Sequence, residues 1–153
     1  MACLVDTNVL LRFVQRSEPQ HPEVRSALVI LRQQGVKLCL TPQTLMEFWN
    51  VCTRPASSRG GFGLSPSTTA GHLRWLEHNF RLLADNAEIH AEWKHLVELH
   101  EVRGAQVHDA RLAAVMMTHG VAHILTFNTK DFARYTTFTA VNPVTVGSQP
   151  DTN

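Results

Sequence analysis

Five short apolar runs punctuate the chain: Ala2–Val5, Val36–Leu40, Arg81–Ala84, Ala122–Thr126 and Phe138–Val141. Each has the length of a strand and is followed by polar or turn-forming residues. Between them the apolar positions switch to a helical period. Val24, Leu28 and Leu31 recur at spacings of three and four, as do Leu45, Phe48, Trp49 and Cys52. Two more helices are predicted between the third and fourth strands, one carrying Ile89, Trp93, Leu96 and Val97, the next Leu112, Ala113, Met116 and Met117. Gly35 and Gly120 stand where helices should stop, and Pro42 suits a first helical turn. Strands alternating with helices predict an α/β fold, a parallel sheet covered on both faces and joined by right-handed crossovers. The stretch RPASSRGGFGLSPS, residues 54–67, reads as a loop within one domain spanning 1–142, and the polar tail 143–153 is expected to fray.

That architecture says where to look for chemistry. Ligands of an open parallel sheet bind at the carboxyl ends of its strands, and the first turns of the intervening helices lie at the same edge. Asp6 closes the first strand, and TFNTKDF, residues 126–132, leaves the fourth. Glu47 falls early in the helix after the second strand, and Asp109 falls in the first turn of the helix that leads into the fourth. Asp109 also precedes Leu112 and Ala113 by three and four residues, which puts it on the stripe facing the sheet.

Each of these residues has an ordinary explanation when taken alone. Asp6 and Thr7 could cap a helix, Asp109 could complement a helix dipole, Glu47 could be a solvated flank and NTKD could be a turn. None of these explains why four distant segments deliver acids or amides to one edge. Two carboxylates about 4 Å apart repel by about 4 kcal/mol at an effective dielectric of 20, so such a cluster calls for a cation. Oxygen donors without cysteine or histidine suit Mg²⁺ or Mn²⁺, which can activate water and offset charge on a phosphoryl oxygen. Phosphodiester hydrolysis is the chemistry this suggests.

Composition narrows the setting. The 153 residues carry a formal net charge of only +1, so a nucleic-acid partner must meet a local basic patch. Arg54, Arg59, Arg103, Arg111, Lys130 and Arg134 lie near the predicted edge or its loops and are the candidates for RNA phosphates. Cys3, Cys39 and Cys52 form no Cys-x-x-Cys pair and sit among apolar neighbours, as buried free thiols of a reducing compartment do. No leader pattern precedes Asp6 and no apolar run approaches the roughly 20 residues of a membrane span, so a cytoplasmic location without membrane attachment is expected. His90, His95 and His100 recur every five residues, which winds them around a helix and argues against a zinc site.

The pieces LVDTNVLLRF, TPQTLMEFWNV, VHDARLAAVMMTHGV and ILTFNTKDF, in this order and spacing, resemble a PIN domain, and most closely the VapC-like toxin ribonucleases of toxin–antitoxin pairs. The resemblance covers roughly residues 1 to 142. It implies a three-layer sandwich around a five-stranded parallel sheet of order 3-2-1-4-5. It also implies an Mg²⁺- or Mn²⁺-dependent endoribonuclease acting on RNA, a homodimer, and a cognate antitoxin that blocks the acidic edge. Asp6, Glu47 and Asp109 match the family's metal ligands. The fourth position, commonly Asp, is Asn128 here, and Asp131 follows three residues later, so Asn128 and Asp131 are carried as catalytic candidates. Thr7, Asn8 and Thr126 look like groups that orient the carboxylates.

Two other functions stay open at this point. A PIN-like scaffold could bind RNA or a partner without cleaving it, with Asn128 as the departure that would disable it. A receiver-like signalling domain also places an Asp after its first strand and a Lys after a late one, here Asp6 and Lys130, with Asp85 as its phosphoacceptor.

Overall fold

Strand β1 (Ala2–Val5) lies at the centre of the sheet because its neighbours on both sides align with it in parallel register. Leu4 is opposite Cys39 of β2 (Lys37–Leu40) on one side and Ile124 of β4 (His123–Leu125) on the other. The edges are β3 (Arg81–Leu82) and β5 (Thr139–Val141), giving the parallel order β3-β2-β1-β4-β5. The computed structural model describes residues 1–148.

A central strand buried on both faces should be apolar throughout, and Cys3, Leu4 and Val5 are all buried. Their alternation divides the core into two layers. Leu4, Cys39 and Ile124 pack with α5 (Ala87–Leu99) and α6 (Gln106–His119) on one face. Cys3, Val5, Leu38, Leu40 and Leu125 pack on the other with α1 (Thr7–Val14), α2 (His21–Gln33), α3 (Pro42–Thr53) and α4 (Pro66–Asn79). The expected α/β sandwich and its strand order are therefore present.

Local chemistry sets the helix ends that matter for the edge. Asp6 is the N-cap of α1, its side chain accepting from the Thr7 amide, so β1 passes into α1 without a connecting loop. Thr41 and Thr44 form a reciprocal capping box at the start of α3, with Pro42 in the first turn. Gly120 ends α6 at φ +67°, a left-handed position that glycine adopts without strain.

Three details differ from the sequence pattern. Residues 66 and 67 belong to α4 rather than to the preceding loop, Pro66 opening the helix behind a Ser65 cap. The tail expected to fray after Pro143 continues as a 3-10 turn, Pro143–Ser148, packed on α2; Pro143 is buried and Val146 joins the core layer on that face. The rest of that expectation, 149–153, lies outside the described residues. Finally, β2 lies between β1 and β3, whereas a receiver domain pairs its first and third strands. Asp6 and Asp85 therefore cannot share a phosphoacceptor site.

Candidate active site

Asp6 is 7% exposed, and a carboxylate so buried must find donors. It has three: the Thr7 amide at 2.8 Å on Oδ1, and the Asn8 amide at 3.0 Å and Thr126 hydroxyl at 2.8 Å on Oδ2. Burial still wins, raising its pKa above the ordinary carboxylate range against the pull of these bonds, with Glu47 adding to the rise. Thr126, fully buried at the end of β4, accepts from the Asn8 side chain (3.2 Å) and the Asn128 amide (3.0 Å) while donating to Asp6. Asn8 in turn accepts from the Phe127 amide at 3.1 Å. The polar seam after β1 is thus a latch to β4, and the orienting roles expected of Asn8 and Thr126 have a geometric basis.

Glu47 projects from the second turn of α3. The Thr7 hydroxyl lies 3.0 Å from its Oε2 and 3.2 Å from the Thr44 carbonyl, so its one proton serves either acceptor. The Gln43 amide reaches Glu47 Oε1 at 3.4 Å and the His108 carbonyl at 2.9 Å. That one side chain ties α3 to the first turn of α6, where Asp109 stands.

Asp109 is half-buried, and its pKa is pushed up to about 6, first by burial and then by the charges of Asp6, Asp131 and Glu47, against a smaller opposing effect from His108. Carboxylates from three other segments therefore act on Asp109 electrostatically. Asp131, exposed on the 3-10 turn Thr129–Phe132, is among them, while Asn128 contributes its backbone amide to Thr126.

The donors gathered here are carboxylate oxygens, a set that suits a hard cation. Among the described residues no three of His, Cys, Asp and Glu approach closely enough to form a ready-made cage. Asp6 has three acceptor positions committed to the fold, whereas among the described residues the Asp109 carboxylate accepts no hydrogen bond, so it is the freer of the two.

The basic candidates divide. Arg111 bridges Asp85 at 3.1 Å and Gln43 at 3.5 Å, Arg134 holds Gln106 at 2.7 Å, and Lys130 is exposed on the turn that carries Asp131. These three border the acids. Arg103 is exposed in the loop before α6. Arg54 caps the far end of α3, two turns beyond Glu47 and about 10 Å along the helix axis, with Arg59 held against it by a carbonyl contact. Neither reaches the acidic cluster. The sequence pattern did not bring out Gln43, whose signal is its place one turn before Glu47 on α3.

A surface cavity of about 730 Å³ lies between α1, α2 and α4 and is lined by Phe13, His21, Arg25 and Trp75 among others, with none of the four acids. The three cysteines are free and buried, and no helix among the described residues is long and apolar enough to cross a membrane.

A family model described as PIN domain matches residues 3–137. No curated protein sequence matches the chain significantly. Among solved structures, VapBC2 of Rickettsia felis bound to promoter DNA superposes with a TM-score of 0.67 at 14% identity, covering 93% of this chain and 98% of that one. A toxin–antitoxin complex from Klebsiella pneumoniae gives 0.62 at 20% identity, covering 92% and 97%. VapC20 of Mycobacterium tuberculosis, a sarcin–ricin loop cleaving toxin, gives 0.60 at 17% identity, covering 88% and 95%. At these identities the likeness is one of fold.

Proposed function

The chain belongs to the PIN domain family, and from that premise we propose that it is a divalent-metal-dependent endoribonuclease, the toxin of a toxin–antitoxin pair. The observation that carries this reading is the convergence of Asp6, Glu47 and Asp131 on Asp109 at one sheet edge, where burial first and then their charges push the Asp109 pKa up. Strain of this kind is retained where charge is used. The shared fold with VapC20, a cleaving toxin, and with toxin–antitoxin complexes supports the biological side.

Hydrolysis requires a water aimed in line at phosphorus, and compensation for the charge that gathers on the phosphoryl oxygens as the P–O bond breaks. A bound Mg²⁺ or Mn²⁺ supplies both. Asp6, Glu47 and Asp109 would hold the ion, directly or through water. Asn8, Thr126 and Thr7 fix the carboxylates of Asp6 and Glu47 in place, so little reorganisation is left for the reaction. Asp131 adds a fourth negative group and Asn128 offers an amide to position water. Arg111, Lys130 and Arg134 would meet RNA phosphates on either side, with Arg54 and Arg59 reached only by a longer strand. A homodimer, a cognate antitoxin covering the edge and a cytoplasmic setting belong to the same proposal.

The test is cleavage of RNA by the purified protein. Mg²⁺ or Mn²⁺ should support it and EDTA should stop it. RNA left intact with either metal would overturn the nuclease and favour a non-catalytic PIN scaffold.

A further inference from the structure

Beside the acids, on the β3 side, a pocket of about 290 Å³ opens between α5 and α6, lined by Asn86, Ile89, His90, Trp93 and Arg111. Its construction differs from a gap in packing. The Trp93 indole N–H donates to the Val107 carbonyl at 2.9 Å, which fixes the ring between the two helices while leaving it half-buried. His90, exposed one turn earlier, sets its ring 5.8 Å from the Trp93 ring at 34°. Ile89, 2% exposed, supplies an apolar floor. Arg111 forms the polar wall, steadied by Asp85 at 3.1 Å and Gln43 at 3.5 Å, with guanidinium protons left over for a further acceptor.

The pocket is also wired to the acidic edge. Gln43 accepts from Arg111 and donates to Glu47, so a single side chain separates the pocket wall from the acidic cluster. Two aromatic faces, an apolar floor and a forked cation are the parts that recognise a base and its phosphate. Unstacked RNA bases pack on aromatic side chains, and arginine takes phosphate oxygens in a planar fork. The volume suits a single nucleotide and is too small for a folded element.

We propose that this pocket is a nucleotide subsite, in which a base of single-stranded RNA next to the scissile phosphate packs on Trp93 and His90 while Arg111 takes a phosphate oxygen. The proposal rests on the nuclease reading for its place along the substrate. Asp85 is the internal competitor, since it occupies Arg111 when no nucleotide is bound. The pocket thus exchanges an exposed ion pair, which contributes little, for a phosphate contact.

The full-length protein, labelled with ¹⁵N and kept in EDTA so that no cleavage occurs, is titrated with AMP, CMP, GMP and UMP in turn. The indole N–H signal of Trp93 should move, while those of Trp49 and Trp75 stay in place. His90→Ala should weaken binding of the preferred nucleotide by about fivefold or more, as expected for loss of a stacking partner. Arg111→Ala should weaken it about tenfold, whereas Asp85→Asn, which frees the guanidinium, should tighten it severalfold. The opposite signs matter, because a merely structural ion pair would lose binding in both variants. An unmoved Trp93 signal with all four nucleotides, or equal weakening by Arg111→Ala and Asp85→Asn, overturns the subsite even if the protein cleaves RNA. A protein that cleaves no RNA but shows the shift and the opposite signs keeps the subsite and loses the nuclease.

Discussion

The carboxylates at the end of β1 and in the first turn of α6 reach the same edge and are held in contrasting ways. Asp6 sits in a socket of three donors, almost wholly buried, and caps α1 as well. Asp109 is half-buried, and what acts on it is burial and the charges of its neighbours. Both carboxyls are pushed up in pKa, the first by burial that outweighs its three hydrogen bonds, the second by burial and then by neighbouring charge. A site built this way has a bonded side and a less bonded side, and at the less bonded side a carboxyl whose pKa is pushed up to about 6 should trade a proton for a metal near neutral pH.

The strongest way to break this contrast is Asp109→Asn. It should reduce Mg²⁺-dependent RNA cleavage by a factor on the order of 10³, about 4 kcal/mol in the barrier, while the protein remains folded by circular dichroism. Purified variant cleaving at near wild-type rate would remove Asp109 from the site.

Stability should separate the two sides by sign. Thr126→Val keeps the shape but deletes a donor to a buried carboxylate, and should destabilise the protein by about 1–3 kcal/mol in urea melts. Asp109→Asn should stabilise the metal-free protein at pH 7 by about 1–2 kcal/mol, because it removes a half-buried charge and then its repulsion from three others. If both variants lose stability, the Asp109 carboxylate is not under strain.

The pH dependence follows with its own sign. The folded state holds the Asp109 proton more tightly than the unfolded chain does. Its contribution is therefore complete below the unfolded value of 3.8 and disappears as pH rises through about 6. In EDTA the wild type should lose about 1–3 kcal/mol more than Asp109→Asn between pH 4 and pH 7. Parallel stability–pH curves would contradict it. Saturating Mn²⁺ should flatten the wild-type curve above pH 6, since the metal replaces the proton.

The smallest effect concerns Asn128. Asn128→Asp adds one negative charge beside the Asp6 latch. It should lower the melting point in EDTA by a few degrees, about 1 kcal/mol, and gain more than wild type from Mn²⁺. Equal responses to metal would mean that position 128 faces away from the cluster and that Asp131 alone supplies the fourth charge.

All five strands were legible as short runs, to within two residues at their ends, most clearly β1 and β2, whose burial on both faces needs apolar residues. The helix α4 was not, since PSTTAGHLRWLEHN offers only Leu73, Trp75 and Leu76 as large apolar residues and carries Gly71 in its second turn. The acids were legible because topology alone carries them to one edge. What each does there was not, because the division between a bonded Asp6 and a strained Asp109 arises from contacts such as Asn8 to Thr126, 118 residues apart. Gln43 and the Asp85–Arg111 pair were hidden for the same reason: their partners lie on segments distant in sequence.

That separation also has a kinetic meaning. The Thr126–Asp6 bond spans 120 residues, so the latch cannot close on a growing chain until nearly the whole domain has left the ribosome. Contacts this distant bear their loop-closure entropy before they return any stability, which places them late in folding. A cell making this protein therefore carries, for most of each synthesis, a polypeptide with an incomplete acidic centre. The complete acidic edge arrives in one step at the end, when β4 docks beside β1.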